Sequence, residues 1–370
     1  MADCGDMWDD LDDDLLLGID AGGSSTGELC EKELNDDTLG DGDSKKRKTG
    51  TEGCELTATQ SEKKRSDQRS PLERYRGGYL WVTDLCKQIW CEQQMFYHLT
   101  MPRVIVEESP IVTVGQNLHL ARELAVQDVV KIAVKTSEDI FAVKVLNLLG
   151  AVKGFLSGVP VRREILIFGS PFGQDIFIMG LIDEIRCDPE TFELEILEFK
   201  TRSTKSLPSK AQKNAHNLQV MLYKRLFDDL VQGKLTKELI AKNMRLDLSV
   251  KFSTDIQKEV NGGGLECKDL DGLMQALFDT MQCMTCIGGI LIEYCYQGDQ
   301  STIGLEQVEY SEIWFKSIFD DFCDYWKGKR EICGVDIEDA WKCQRCAFAE
   351  VCDWRKKRAE ECASKNKKTK

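Results

Sequence analysis

The stretch DIFIMGLIDEIRCDPETFELEILEFK, residues 175–200, limits the possible folds more than any other part of the chain. Apolar and polar residues alternate on both sides of a turn at Asp188, which predicts two paired strands. Glu198 and Lys200 are two residues apart and therefore share one face of the second strand. Pairing of the strands can bring Asp183 beside them. Apolar residues occur on both faces of the second strand, as in a strand buried inside a sheet, where charges need partners or a metal: Phe192, Leu194, Ile196, Leu197 and Phe199.

Two carboxylates and an ammonium group at one place predict a metal site with a water-activating lysine. Asp and Glu oxygens are hard ligands for Mg²⁺ or Mn²⁺, and such an ion neutralises charge on a phosphodiester in its transition state. Lys200 would orient or deprotonate the attacking water. The alternative is a solvated hairpin with an ordinary Glu–Lys surface pair, and the apolar residues around Glu198 argue against it. The hairpin therefore favours metal-dependent phosphodiester hydrolysis.

The net charge of −14 belongs to the N-terminal segment. Residues 1–43 carry fifteen acidic residues and one base, Lys32, and the rest of the chain has 48 of each sign. Because the remainder is neutral in bulk, local basic patches can still face phosphate. With 370 residues and 42% hydrophobic content, the chain can bury one large core or two smaller ones. No apolar run approaches the roughly 20 residues of a membrane helix, so we expect no membrane contact.

Three regions are predicted from the composition. Residues 1–70 are rich in Asp, Gly, Ser, Thr and Lys without sustained periodicity, which predicts a disordered tail that is acidic and then basic. Its basic clusters at 45–48 and 63–65 are spaced like a bipartite nuclear import signal, although such clusters are common in disordered tails. A folded domain is predicted over residues 71–356, and a second basic tail over 357–370.

Periodicity in the folded part predicts helices alternating with strands. Helical spacing recurs at 79–99, 115–132, 137–150, 214–231, 269–286 and 311–328, and strands are predicted at 163–170 and 288–297. His119 and Glu123 lie four apart on one predicted helix, so either could be a further metal ligand, or His119 a satisfied core residue. Gln219 and Tyr223 form a similar pair on the next helix after the hairpin.

Four basic residues follow the predicted hairpin: Arg202, Lys205, Lys210 and Lys213. They could bind substrate phosphates, and each such contact makes binding depend on salt. The alternative is a solvated loop.

The cysteines predict a second metal site. We expect no signal peptide and hence a reducing compartment, where clustered cysteines are metal ligands more often than disulfides. Cys343, Cys346 and Cys352 follow the spacing C-x2-C-x5-C. A closed site needs a fourth ligand from elsewhere in the chain, and the spacing leaves both zinc and an iron–sulfur cluster open.

Taken together, these motifs resemble the exonuclease V family, in the RecB-like branch of the PD-(D/E)xK nucleases. The match runs from about Leu80 to Arg355 and includes, in order, LWVTDLCKQIWCEQQ, HLAREL, GLIDE, LEFKTR, QVMLYK, GVDIEDAWKCQRC and the final Cys-Asp-Trp-Arg. Ile182 stands where the signature has proline, and the branch tolerates an aliphatic residue there. The first 70 residues lie outside the match.

The resemblance implies a role for each matched residue. Asp183, Glu198 and Lys200 match the catalytic core. The branch's Q-x3-Y motif falls on Gln219 and Tyr223, and its G-x3-H helix assigns a metal-binding role to His119. Some members hold a [4Fe–4S] cluster with one upstream cysteine and three C-terminal ones, a pattern that selects Cys91 together with Cys343, Cys346 and Cys352.

The resemblance also implies a fold and a function. The fold is α/β, a nuclease core with a mixed central sheet flanked by helices, in which the iron–sulfur cluster joins the N- and C-terminal parts. The function is a Mg²⁺- or Mn²⁺-dependent single-stranded DNA exonuclease that releases short oligonucleotides during DNA repair, in the nucleus, as a monomer, with RPA as a partner. The alternatives are a structure-specific endonuclease with the same site and a non-catalytic, metal-stapled DNA-binding scaffold.

Overall fold

The computed structural model describes residues 69–101, 110–124 and 134–368. The predicted N-terminal tail, apart from its last two residues, lies outside the described residues together with its two basic clusters. The side chain of Glu123, the second metal ligand considered on its helix, also lies outside them. All described residues belong to one compact unit.

The described chain alternates helices and strands. In order, its elements are α1 (Pro71–Tyr75), β1 (Tyr79–Trp81), α2 (Val82–Thr100), α3 (Pro110–Leu124), α4 (Ser137–Leu156), β2 (Val161–Gly169), β3 (Phe177–Cys187), β4 (Leu194–Arg202), α5 (Lys210–Val231), α6 (Lys237–Met244), α7 (Thr254–Gly262), α8 (Leu270–Met281), β5 (Ile287–Tyr296), β6 (Thr302–Gln307), α9 (Glu312–Trp326) and α10 (Asp353–Lys368). Short 3₁₀ helices span Pro171–Gly173 and Ile337–Arg345.

Strand β3 pairs with three other strands of a mixed six-stranded sheet. Strand β2 pairs antiparallel along one of its edges. On the other edge, β1 pairs parallel with residues 177–179 and β4 pairs antiparallel with residues 184–187. Strand β4 then pairs parallel with β5, which pairs antiparallel with β6. The prediction of an α/β fold with a mixed central sheet flanked by helices is therefore confirmed.

Helices α4 and α5 cover much of the sheet with apolar side chains. Phe141 on α4 packs against Phe168 on β2, with ring centroids 5.4 Å apart, and Phe168 stacks on Phe177 of β3. Helix α5 begins at a capping box between Ser209 and Gln212, which satisfies backbone groups at its first turn. Burial of each large apolar side chain stabilises the fold by roughly 1.5–3 kcal/mol.

The predicted elements differ from the observed ones mainly at short segments. The hairpin occurs as β3 and β4, and the helix predicted from residue 79 begins at Val82, after the three-residue strand β1. The sequence analysis did not predict β6, whose residues are mostly partly or fully exposed. Most of the predicted basic tail, from residue 357, falls within α10. Among the described residues, no helix combines the length and apolar character needed to cross a membrane.

Candidate active site

The candidate site forms where β4 parts from β3. Their ladder ends at the pair of Glu184 and Leu197. Asp183, the preceding residue of β3, accepts a hydrogen bond at Oδ2 from the backbone N–H of Phe199, 2.7 Å away. The Asp183 carboxylate thus accepts from a backbone N–H of β4 that a backbone carbonyl of a paired strand would otherwise bind. Asp183 therefore lies beside the segment that carries Glu198 and Lys200, as the hairpin pattern predicts.

Glu198 and Lys200 form a buried ion pair on β4. Lys200 Nζ lies 3.0 Å from Glu198 Oε1, and the two side chains are 2% and 1% exposed. Alternation along the strand puts them on the same side, which allows the contact. Removal of one partner from such a pair leaves an uncompensated buried charge, at a cost of about 3–5 kcal/mol. Each partner therefore holds the other in place where β4 separates from β3.

Helix α3 brings His119 to the same place. His119 Nδ1 lies 3.9 Å from Asp183 Oδ2, and its ring packs edge-on against Phe199, with centroids 5.3 Å apart. A side chain at Gly115 would approach Thr201 of β4 within 3.0 Å, so the glycine lets the helix come this close. Burial lowers the pKa of His119, although the charge of Asp183 opposes the shift. The imidazole is therefore neutral at pH 7, the form that binds metals.

Glu164 completes a set of possible metal ligands with His119 and Asp183. One nitrogen and two carboxylate oxygens of these residues lie within 4.8 Å of one another. The two carboxylate oxygens are typical ligands of Mg²⁺ and Mn²⁺. The imidazole nitrogen can bind several divalent ions. The residues present therefore fit a divalent cation. The predicted set had Glu198 instead of Glu164, and the structure places Glu198 against Lys200.

The backbone at Glu164 explains why its position was missed in the sequence. Glu164 lies on β2 between residues that pair with Glu184 and Ile182 of β3, and hence opposite Asp183. Its φ of 50° is in the left-handed region, which interrupts the regular strand. Strand alternation therefore gives no guide to the side on which its carboxylate lies. An acidic residue with such a φ opposite a second carboxylate, that of Asp183, is a sign of function in the structure, and the sequence pattern does not show it.

Gln219 and Tyr223 lie on α5, which packs against the sheet. Both are buried, and Gln219 Nε2 donates to the Tyr223 hydroxyl at 3.0 Å. The tyrosine ring packs against Gly180 of β3, where an added Cβ would lie 2.6 Å from a ring carbon. The two residues therefore support the strand that carries Asp183, three positions after the glycine.

The four basic residues after the hairpin are in different environments. Arg202 is 4% exposed, and its Nε donates to the Ser206 carbonyl at 2.6 Å, inside the loop it begins. Lys205 pairs with Asp299 and lies 4.9 Å from the Tyr296 ring centroid. The remaining two lie on α5, where Lys213 is ion-paired with Glu306 and Lys210 is exposed. Lys205 and Lys210 are therefore exposed to solvent, Lys213 is partly buried, and Arg202 lies in the interior.

A second cluster of functional side chains lies between α2 and the C-terminal segment. Cys91, Cys343, Cys346 and Cys352 line one cavity, together with aromatic residues that include Tyr97 and Phe348. Helix α2 is interrupted at Cys91, whose φ of −165° and ψ of 106° are not helical. Burial raises the pKa of the Cys91 thiol to about 11, and the other three thiols add to the shift. A partly buried group of four thiols around one cavity is a suitable ligand set for a metal, which stabilises the thiolate form.

The C-terminal segment is fitted closely to this cavity. Trp354 lies against Gly334, where an added Cβ would approach the indole within 2.2 Å, and its Nε1 donates to the Val335 carbonyl at 3.1 Å. The backbone N–H of Asp353 donates to the Tyr97 hydroxyl at 3.0 Å. The two residues after Cys352 therefore hold it between α2 and the segment at 334–335.

Comparison with known proteins gives one family. A family model described as "Exonuclease V - a 5' deoxyribonuclease" matches residues 70–197, 188–271 and 264–355. Exonuclease V of Danio rerio is 39% identical over 293 residues, which cover 78% of this chain and 73% of the relative. Among solved structures, that of SSO0001 aligns with 75% of this chain and 87% of its own, at 13% identity and a TM-score of 0.37. That structural similarity is too low to inform the fold.

Proposed function

Because this chain belongs to the exonuclease V family, we propose that it is a metal-dependent exonuclease that degrades single-stranded DNA from its 5′ end. The observation that carries the proposal is the convergence of His119, Glu164 and Asp183 beside the buried Glu198–Lys200 pair. Membership of the family supports a nuclease that hydrolyses DNA.

The side chains of the candidate site have different roles in phosphodiester hydrolysis. His119, Glu164 and Asp183 would hold Mg²⁺ or Mn²⁺, and Asp183 is fixed for this by the Phe199 N–H. When bound, the ion neutralises charge on the phosphate and lowers the pKa of a bound water. Lys200 orients the attacking water. Glu198 keeps the ammonium group of Lys200 in place through their 3.0 Å contact, and the low exposure of both strengthens that contact.

We propose that Cys91, Cys343, Cys346 and Cys352 hold a [4Fe–4S] cluster with a structural role. Their common cavity supports a single shared site. The family resemblance favours iron–sulfur over zinc. Since the ligands come from both ends of the folded chain, the binding free energy of the group would become folding free energy.

The wider role follows the family resemblance. We propose that the enzyme acts in DNA repair in the nucleus, as a monomer, with the single-strand-binding protein RPA as a partner. A structure-specific endonuclease with the same site is the alternative, since the site geometry is common to both reactions.

Digestion of end-labelled single strands tests the proposal. With Mg²⁺, label at the 5′ end should be released as short oligonucleotides before label at the 3′ end, and a circular single strand should stay intact. Cleavage of the circle would favour the endonuclease. Lys200→Ala should abolish cleavage and keep DNA binding, whereas Lys237→Ala, which removes an ion pair with Asp271 outside the site, should cleave normally. Near-normal turnover by Lys200→Ala would refute the mechanism.

A further inference from the structure

A cavity of about 420 Å³ opens beside the candidate site. Arg122, Arg163 and Phe199 are among the residues that line it. The Phe199 ring contacts His119 and also makes a cation–π contact with the Arg122 guanidinium, whose carbon lies 3.9 Å from the ring centroid. The cavity therefore adjoins the proposed metal ligands through a single aromatic side chain. Its volume lies within the range of small-ligand sites.

Three arginines surround one buried glutamate at the wall of this cavity. Arg163 Nε lies 2.6 Å from Glu184 Oε2, and Arg186 Nε lies 2.6 Å from Oε1. Burial by itself would raise the pKa of Glu184, but the hydrogen bonds and charges of Arg163 and Arg186 outweigh it and lower the pKa. Glu184 is therefore a carboxylate at neutral pH, and each of its oxygens already has a close guanidinium partner.

Arg122 is held less closely than the other two. Its contact with Glu184 is 3.5 Å long, and its second contact, with Glu293, is 3.2 Å. Its side chain is 25% exposed. Within this group of five contacting side chains, three arginines and two glutamates leave one positive charge in surplus. An arginine placed over an aromatic ring keeps N–H donors at its edge that match two oxygens of a phosphate.

We propose that Arg122 and Arg163 bind a backbone phosphate of the substrate strand, next to the phosphate that is cleaved. This inference rests on the proposed function and adds a binding site to it. Guanidinium groups form paired, charge-assisted hydrogen bonds with phosphate oxygens. Phe199 connects this phosphate site with the metal ligands, because its N–H donates to Asp183 and its ring contacts the Arg122 guanidinium. A phosphate bound in the cavity would thereby set the register of the strand over the metal ligands.

Kinetics of Arg122→Gln and Arg186→Gln test the proposal. Both arginines contact Glu184, but Arg186 is 43% exposed and does not line the cavity. Arg122→Gln should raise KM for single-stranded DNA about tenfold with kcat within about twofold, the pattern of lost ground-state binding. Arg186→Gln should leave KM unchanged. Arg122→Lys retains the charge and should fall between Arg122→Gln and the native enzyme.

Neutral methylphosphonate linkages locate the bound phosphate. A single such linkage next to the cleaved bond should slow the native enzyme, and should slow Arg122→Gln no further. Equal KM values for Arg122→Gln and Arg186→Gln, or equal sensitivity of the native and Arg122→Gln enzymes to that linkage, would overturn the proposal. Binding of the same strands in Ca²⁺ separates this outcome from failure of the proposed function, because the affinity difference should persist without cleavage.

Discussion

Arg330 holds the carboxylate of Glu92 with two hydrogen bonds, of 2.7 Å from Nη1 to Oε2 and 2.8 Å from Nη2 to Oε1. Glu92 follows Cys91 on α2, and it also accepts the backbone N–H of Cys333 at 2.9 Å. Paired N–H donors on a carboxylate combine strength with a fixed geometry. The C-terminal segment is thus tied to α2 by protein contacts next to the proposed cluster.

Loss of this pair should destabilise the fold. Arg330→Ala leaves the nearly buried Glu92 without its main partner, so we expect the free energy of unfolding to fall by about 2 kcal/mol. Denaturant titration measures the change. Lys329→Ala is the matched control, since its ion pair with Asp324 is half exposed on both sides and should contribute under about 1 kcal/mol. Equal effects of the two variants would show that the Glu92 contact has no special weight.

The proposed cluster should give the protein a colour. Anaerobically purified protein should be brown, with broad absorbance at about 400 nm, as expected for thiolate-ligated iron. Cys91→Ala and Cys343→Ala should lose the absorbance together with DNA binding. Cys283→Ala, which removes an exposed thiol outside the cavity, should retain both. Colourless, active protein with one zinc per chain would refute an iron–sulfur cluster, and full activity of Cys91→Ala would remove that residue from the ligand set.

Glu164 should contribute to metal affinity. Glu164→Gln keeps the size of the side chain but removes the negative charge, so affinity for Mn²⁺ should fall at least about tenfold. Calorimetric titration with Mn²⁺ in the absence of DNA measures this without reference to turnover. Glu193→Gln, in the exposed turn before β4, should titrate like the native protein. Unchanged affinity in Glu164→Gln would return Glu164 to a structural role.

The sequence and the structure agree best where the signal is local. The hairpin could be predicted because alternation, the turn and the charged residues all lie within one short stretch, and pairing leaves few places for Asp183. The fold class followed from the same kind of periodicity. The direction of the Glu164 side chain depends on the backbone of Glu164 itself, whose φ is 50°, and no sequence pattern predicts that angle.

Long-range contacts could not be predicted from spacing. The spacing of the three C-terminal cysteines indicated a site but not its fourth ligand, and only the family resemblance selected Cys91. The interruption of α2 at Cys91 is likewise hidden in an otherwise helical pattern. Arg202 looked like one of four equivalent basic residues, but its place at the end of β4, covered by its own loop, puts it inside.

Gly180 should be intolerant of any side chain. In Gly180→Ala the new Cβ would lie 2.6 Å from the Tyr223 ring and 2.7 Å from Val82, so a buried ring or α2 must move. Such overpacking costs about 1–3 kcal/mol, and kcat should fall because Asp183 is on the same strand. Thermal unfolding and single-turnover cleavage measure the two effects. Gly150→Ala on α4, where an added Cβ meets nothing within 4 Å, is the control.

The basic residues after the hairpin should separate into two classes. Lys205 and Lys210 are exposed, so neutralising both as glutamines should weaken binding of single-stranded DNA and reduce its salt slope by about 0.7 per lost phosphate contact. Arg202→Gln should instead lower the free energy of unfolding, since its guanidinium holds the Ser206 carbonyl from a buried position. The double variant Lys251→Gln, Lys258→Gln, at two exposed lysines in or just before α7, controls for the loss of two positive charges. A salt slope that is unaltered in the first double variant would assign Lys205 and Lys210 to a solvated surface, and a stable Arg202→Gln protein with weakened DNA binding would place Arg202 in contact with the strand.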